Sequence, residues 1–216
     1  MRRLVLLIIC LLTIGNVANA QMSVGVTPIF SRYVENNPYM EQEFINRATL
    51  CEINAGILTH KAIVEGYHLF NKGYTDTGTI NIISNGKATP APVFLHSQFN
   101  ASRIEIGTPF LHREVIVEPF FVESFTNNQY EVKKNHKPIY ATNISEATAG
   151  FGVAVSHRIK SNNSVGVKYF LTAKDSMLNI KYSWFNKVSS FNVGYTSRAY
   201  SNIKIYGPYL SLSCMF

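Results

Sequence analysis

The stretch ATAGFGVAVSHRIKSNNSVGVKYFLTAKDSMLNIKYSWFNKVSSFNVGYTSRAYSNIKIYGPYLSLSCMF, Ala147 to Phe216, decides the fold. It reads as five consecutive β-strands. Phe151, Val153, Val155 and Ile159 alternate with Gly150, Gly152, Ser156 and Arg158, and Val165, Val167, Tyr169 and Leu171 alternate with Gly166, Lys168 and Thr172. Leu178, Ile180, Tyr182 and Trp184 then face away from Asn179, Lys181 and Ser183, and Phe191, Val193 and Tyr195 from Asn192, Thr196 and Arg198. Side chains along a strand point to opposite faces with period two, so each segment has one apolar and one polar face, as a strand between lipid and a polar lumen must. The links Ser161-Asn162-Asn163, Ala173-Lys174-Asp175-Ser176, Asn186-Lys187 and Ser201-Asn202 are short and made of turn formers, which forces antiparallel neighbours.

The last strand, from Ile203, places Leu210, Leu212, Cys214 and Phe216 on one face, and Gly207 precedes Leu210 and Leu212 with the spacing glycine, two residues, apolar, one residue, apolar. This resembles the C-terminal assembly signal of Gram-negative outer-membrane β-barrels, in which a terminal aromatic and alternating apolar residues are read by the barrel assembly machinery. Cys214 departs from the pattern, standing where a larger apolar residue is usual. Pro208 departs too: it cannot donate to a ladder, and the apolar face switches from Ile203 and Ile205 to Leu210 and Leu212 across it, which predicts a β-bulge. The resemblance implies a small barrel of the OmpA/OmpX or lipid A deacylase type.

At the other end, Arg2 and Arg3, the apolar run Leu4 to Ile14 and Ala18-Asn19-Ala20 have the three parts of a secretory signal, so residues 1–20 are expected to be cleaved and 21–216 to form the barrel. Cys10 lies inside the apolar run and does not mark a lipid anchor. No later stretch is apolar for the ~20 residues of a spanning helix. An exported chain rich in Tyr (12) and Phe (14) can then enter a bilayer only as a closed barrel. Losing Arg2 and Arg3 with the leader lowers the net charge from +7 to +5. Outer-membrane lipids and lipopolysaccharide are the expected surroundings; no nucleic acid and no cofactor are expected.

The remaining strands are less regular. Ser23 to Tyr33 alternates, with Val24, Val26 and Phe30 on one face; 34–47 reads as a loop; Ala48 to Leu58 sets Cys51, Ile53, Ala55 and Ile57 against Glu52, Asn54 and Gly56; Thr59-His60-Lys61 turns into Ala62 to Phe70. Residues 71–92 read as a loop that could contain a short strand, Thr79 to Ser84. Val93 to Ile106 is one strand with a phase slip near Asn100-Ala101-Ser102, or two; Arg113 to Ser124 is a strand; 126–146 is a polar loop. Because short turns lie on the periplasmic side with both termini, all three long loops fall outside. The class is all-β, an up-and-down antiparallel transmembrane β-barrel of ten strands, with eight next and twelve possible.

Glu52, Arg158, Lys168, Lys181 and Arg198 are expected to point into the lumen. Buried charges must be paired, so they predict a hydrogen-bonded filling; the alternative is a narrow anion-favouring channel, since cations outnumber Glu in this set. Lys133, Lys134, His136 and Lys137 cluster in an outer loop and could contact lipopolysaccharide phosphates. Lipid A-modifying enzymes are the other alternative. His96 and Ser97 are adjacent and so face opposite ways, Asp175-Ser176 reads as a turn, and the six histidines lack metal-ligand spacing; no catalytic residue and no metal site are assigned. Cys51, near the outer end of its strand, and Cys214, near the periplasmic end, are expected to lie too far apart for a disulfide.

Overall fold

The computed structural model describes residues 21–36, 43–59, 61–71, 73–84 and 87–216. The leader expected at 1–20 lies outside the described residues. Twelve strands follow in order: β1 Gln21–Asn36, β2 Glu43–Leu58, β3 Ile63–Phe70, β4 Tyr74–Ser84, β5 Lys87–Gly107, β6 Phe110–His112, β7 Val115–Lys134, β8 Lys137–Lys160, β9 Asn163–Thr172, β10 Asp175–Phe185, β11 Ser189–Tyr200 and β12 Ile203–Met215. Ten of them form a closed antiparallel ring, β1-β2-β3-β5-β7-β8-β9-β10-β11-β12 and back to β1. Strands β4 and β6 lie outside it, each hydrogen-bonded to one side of a longer strand. The ten-strand expectation therefore holds, and the possible strand within 71–92 exists without entering the ring. Gln21 and Phe216, and the links between β2 and β3, β8 and β9, and β10 and β11, lie at one end, the proximal end; the other is distal.

Alternation sets which residues face the bilayer. Val24, Val26, Phe30, Ile53, Phe151, Val153, Val155, Val167, Leu171, Ile180 and Leu212 are exposed on the outer wall, while Thr27, Glu52, Thr172, Thr196 and Ser211 between them are buried inside. A band of this kind is stable only against hydrocarbon. Trp184, Phe191, Phe110 and Phe216 crowd the proximal rim of the outer wall, an aromatic girdle of the kind that flanks the apolar band of a membrane barrel.

Strand lengths divide the barrel into two halves. Strands β9 to β12 run 10 to 13 residues, about the 9–11 that cross a bilayer. Strands β5, β7 and β8 run 21, 20 and 24 residues and so continue beyond it as a distal sheet, with β4 as a fourth strand. Residues 126–146 are thus a β-hairpin extension and not a polar loop. Its tip turns at Asn135 and His136, both at positive φ (50° and 63°), the mirror-image turn that matches strand twist and that Asn tolerates. Val93, Leu95, Tyr130 and Val132 form a small buried core on this sheet, with Ile144 packed against it. Residues 34–36 and 43–47 likewise belong to β1 and β2, pairing from Val34↔Ile45 to Asn36↔Glu43.

Two predicted irregularities are absent. Strand β5 runs in one phase, with Ser97, Phe99, Ala101, Arg103 and Glu105 all buried inside. Strand β12 carries no bulge at Pro208; its register with β11 is continuous from Ser189↔Cys214 to Tyr200↔Ile203. Ile203, Ile205 and Tyr209 face inward and Leu210 and Leu212 outward on one unbroken alternation. What changes along β12 is the interior, which is apolar at the distal half. Cys51 sits mid-strand opposite Pro28, not near the distal end, while Cys214 sits opposite Val24; both thiols are free.

Candidate functional site in the barrel interior

Inward-facing residues stack in layers along the axis. The most distal layer is polar: Ser97 Oγ donates to Glu35 Oε1 at 3.3 Å, Asn128 Nδ2 to the same oxygen at 3.2 Å, and Asn202 Nδ2 to the Tyr130 hydroxyl at 2.5 Å. Below it Ile29, Leu50, Leu69, Phe99, Ala101, Tyr200, Ile203, Ile205 and Tyr209 form one buried cluster inside the ring, with the Phe99 and Tyr200 rings 5.0 Å apart. This layer is unusual for a barrel whose lumen is water-filled; an apolar filling of this size belongs to narrow barrels packed by their own side chains.

The charged layer lies below the apolar one. Arg198 forks onto Glu52, Nη1 to Oε2 at 2.5 Å and Nη2 to Oε1 at 3.1 Å, and its Nε donates to Thr196 Oγ1 at 3.1 Å. Arg103 reaches Glu52 with Nη1 at 3.1 Å and Glu105 with Nε at 2.8 Å. Lys168 then joins Glu105, Glu65 (3.3 Å) and the Tyr67 hydroxyl (3.2 Å), and Tyr67 donates to Glu65. The Arg103 guanidinium also lies 4.0 Å from the centre of the Tyr67 ring, and the Lys168 ammonium 4.9 Å from that of Phe120. The network therefore crosses the lumen through β2, β3, β5, β9 and β11. Such pairing is what a low-dielectric interior demands, because an unpaired ion there is expensive.

Of the residues expected in the lumen, Glu52, Lys168 and Arg198 meet in this network. Lys181 lines the cavity beneath it without an ion pair among the described residues. Arg158 does not belong: it lies exposed at the proximal end of β8, next to a register shift, with its guanidinium 5.9 Å from the Phe185 ring centre. The sequence reading missed Arg103, Glu105, Glu65 and Glu118. Their signal was available, since Arg103 and Glu105, like Glu65 and Tyr67, stand two residues apart and so share a face; the phase slip supposed at 100–102 hid the first pair. With them included, Glu52, Glu65, Glu105 and Glu118 stand against Arg103, Arg198, Lys168 and Lys181, and the cation excess behind the anion-channel alternative disappears.

Proximal to the network a polar cavity of about 310 Å³ is lined by Asn54, Glu65, Glu118, Lys181, Asn192 and Arg198 and reaches the rim residues Leu58 and Met215.

The other candidate groups are scattered. Ser97 is buried inside, and His96 faces the opposite way. Asp175 opens β10 instead of occupying the turn; it is buried, accepts from Thr148 Oγ1 at 3.0 Å, and its N–H donates to Thr172 Oγ1 at 2.8 Å. On the outer wall His68 Nδ1 and Ser102 Oγ lie 2.8 Å apart as directly opposed strand neighbours; among the described residues no carboxylate bonds this histidine to orient it as a base. Lys133 pairs with Glu131 at 2.8 Å, Lys134 faces Lys137 across the tip turn, and the His136 ring stacks 5.9 Å from Phe94. The tip cluster thus stands beyond Thr126 by about 30 Å of strand at ~3.3 Å per residue. At the distal mouth Glu146 of β8 accepts from Lys174 Nζ at 2.5 Å and Ser201 Oγ at 2.6 Å, tying the protruding sheet to two turns.

No family model and no curated protein matches the sequence. Among solved structures the chain is similar to the attachment invasion locus protein Ail of Yersinia pestis (10% identity, 91% of this chain and 97% of that one, TM-score 0.40), the translocator domain of the autotransporter NalP from Neisseria meningitidis (11%, 100% and 94%, 0.48), and the outer membrane protease OmpT from Escherichia coli (9%, 91% and 94%, 0.46).

Replacing Glu52 by Gln leaves Arg198 and Arg103 facing each other across a neutral amide. Breaking a buried pair costs roughly 3–5 kcal/mol, so the Gln variant is expected to unfold from vesicles at clearly lower urea concentration than wild type. Removing cation and anion together, as Glu52→Gln with Arg198→Met, should recover part of the loss.

Proposed function

We propose that this chain is an integral outer-membrane barrel, exported by cleavage of residues 1–20, whose lumen is closed by its own side chains and whose work is done at its surface. The observation that carries this reading is the succession inside the ring of a buried apolar layer and a charge-balanced ion network. An ion crossing would have to shed its hydration against Leu50, Leu69 and Phe99 and then disrupt paired charges, both steep barriers in a low dielectric. The reading is tested by planar-bilayer recording of the refolded barrel: wild type is expected to give no steady conductance, and Leu50→Ala with Phe99→Ala to give measurable current. Large, steady conductance in the wild type would overturn closure.

In this reading the distal sheet of β4, β5, β7 and β8 faces the exterior, with Lys133, Lys134, His136 and Lys137 at the tip among the phosphorylated sugars of lipopolysaccharide. Gly207, Leu210, Leu212 and Phe216 serve as the signal for the barrel assembly machinery. Phe216 closes the last rung, its N–H donating to Met22 O at 2.9 Å and its main-chain oxygen accepting from Met22 N at 3.1 Å, while the residue is 79% exposed and free to be read. Phe216→Asp is expected to accumulate as periplasmic, protease-sensitive chain; wild-type levels of folded, heat-modifiable barrel would sink the assignment.

A further inference from the structure

The closing seam between β1 and β12 has a defect. From Val26↔Leu212 to Arg32↔Tyr206 only Ile29↔Tyr209 pairs. Met22 and Phe216 exchange both bonds of their rung, so hydrogen-bonded rungs fall on the even residues of β1. On two successive ones the donor is missing, because Pro28 and Pro208 have no N–H. Immediately distal to this gap the outer wall holds a recess of about 410 Å³ lined by Phe30, Arg32, Arg47, Tyr195, Tyr206 and Pro208.

Arg32 and Arg47 are directly opposed across β1 and β2, and both are exposed. Like charges directly opposite repel, and among the described residues no carboxylate forms an ion pair with either. The Arg32 guanidinium lies 5.9 Å from the Tyr206 ring centre, and Lys204, exposed and on the same outward face, stands one rung further out opposite Val34. Below the cations the wall becomes apolar through Phe30, Leu210, Val26 and Leu212, all exposed. Cations above an aromatic shelf above an apolar strip match an anionic headgroup with acyl chains beneath it. Guanidinium groups favour phosphate oxygens, which they bind through two donors each.

We infer that the Arg32–Arg47 recess binds a phosphate of lipid A in the outer leaflet, with the acyl chains lying along the β1–β12 seam. The assignment rests on the outer-membrane reading above and not on closure of the lumen. The leaflet follows from position, since both arginines lie toward the distal end, and the phosphate-bearing lipid of that leaflet is lipid A. The lysine-rich hairpin tip stands too far beyond the membrane to serve this phosphate. An occupied site would also cover the stretch where the ladder lacks two donors.

Native mass spectrometry of the detergent-solubilised barrel, mixed with bisphosphorylated lipid A, lipid A stripped of both phosphates, or phosphatidylglycerol, tests this. Wild type is expected to retain bisphosphorylated lipid A at least tenfold over the other two. Arg32→Gln with Arg47→Gln should lose that preference, while Arg158→Gln and the triple tip variant Lys133→Gln, Lys134→Gln, Lys137→Gln keep it; heat-modifiable migration shows that each is folded. Equal retention by the double arginine variant, or loss in the tip variant alone, would overturn the site while leaving the outer-membrane reading intact. Preference for phosphatidylglycerol would overturn lipid A as occupant, and no retention of any lipid by folded wild type would overturn the site outright. If the double variant is unfolded, Arg32→Lys with Arg47→Lys replaces it, and a retained charge with at least a threefold weaker preference is the expected result; an unchanged preference counts against the site.

Discussion

Every backbone N–H and C=O in hydrocarbon must find a partner within the protein, because lipid offers none. That requirement turns a run of strands into a ring and makes the β1–β12 seam the most consequential contact in the chain. Nine residue pairs and the Met22–Phe216 rung join the first and last strands there. Gly207 permits a close approach at this seam: a Cβ on it would come within 2.2 Å of Phe30 O. The same seam carries Pro28 and Pro208, which weaken it, so closure and local weakness come from one place in the fold.

Closing ten strands leaves a lumen that side chains can nearly fill, and the filling differs by depth. Distally the inward positions are Ile29, Leu50, Leu69, Phe99, Ile203 and Ile205, and the interior is packed as a soluble core would be. Below them Glu52 accepts from two arginines at once, and Glu105 links Arg103 to Lys168. An interior ion network adds little net stability over an apolar filling; here it joins side chains of β2, β3, β5, β9 and β11 across the lumen. At the proximal end the layers give way to a polar cavity. Strand β12 passes from the apolar layer at Ile203, Ile205 and Tyr209 to the polar cavity at Ser211 and Ser213, while Leu210 and Leu212 keep its outer face apolar at that depth.

The barrel is lopsided for a reason visible in strand length. Turns of two or three residues end β9 to β12 near the membrane surface, whereas β5, β7 and β8 continue, held by the Val93, Leu95, Tyr130 and Val132 core. An isolated two-stranded hairpin is marginal in water, and three or more strands with an apolar face are needed; the recruitment of β4 as a fourth strand meets that need. Glu146 anchors this sheet by its bonds to Lys174 and Ser201. Those bonds hold its carboxyl below the usual glutamate range, so the anchor is complete at neutral pH and lost as pH falls through the depressed value.

The membrane-spanning architecture was legible in the amino-acid order because it depends on period two alone. Phe151, Val153 and Val155 against Gly150, Gly152 and Ser156 declare their faces without reference to any other strand, and short polar turns dictate antiparallel neighbours. The count of ten followed from taking 71–92 as a loop and 93–106 as one strand, and parity then put the long loops on one side. Local pattern failed where the environment of a face changes along one strand: Ile203 and Ile205 followed by Leu210 and Leu212 looks like a bulge in sequence, yet it is one alternation passing an apolar interior. It failed again at 126–146, where the buried face of the hairpin is marked by only Tyr130, Val132 and Ile144 among polar neighbours, and the turn at Asn135-His136 lacks the usual glycine. The partners of Glu52 were beyond reach for a different reason. Arg103 and Arg198 lie 51 and 146 residues away in the chain, and only the stagger of the closed ring brings them to one level. Arg32 and Arg47 are likewise fifteen apart in sequence and unremarkable there; strand register alone sets them side by side.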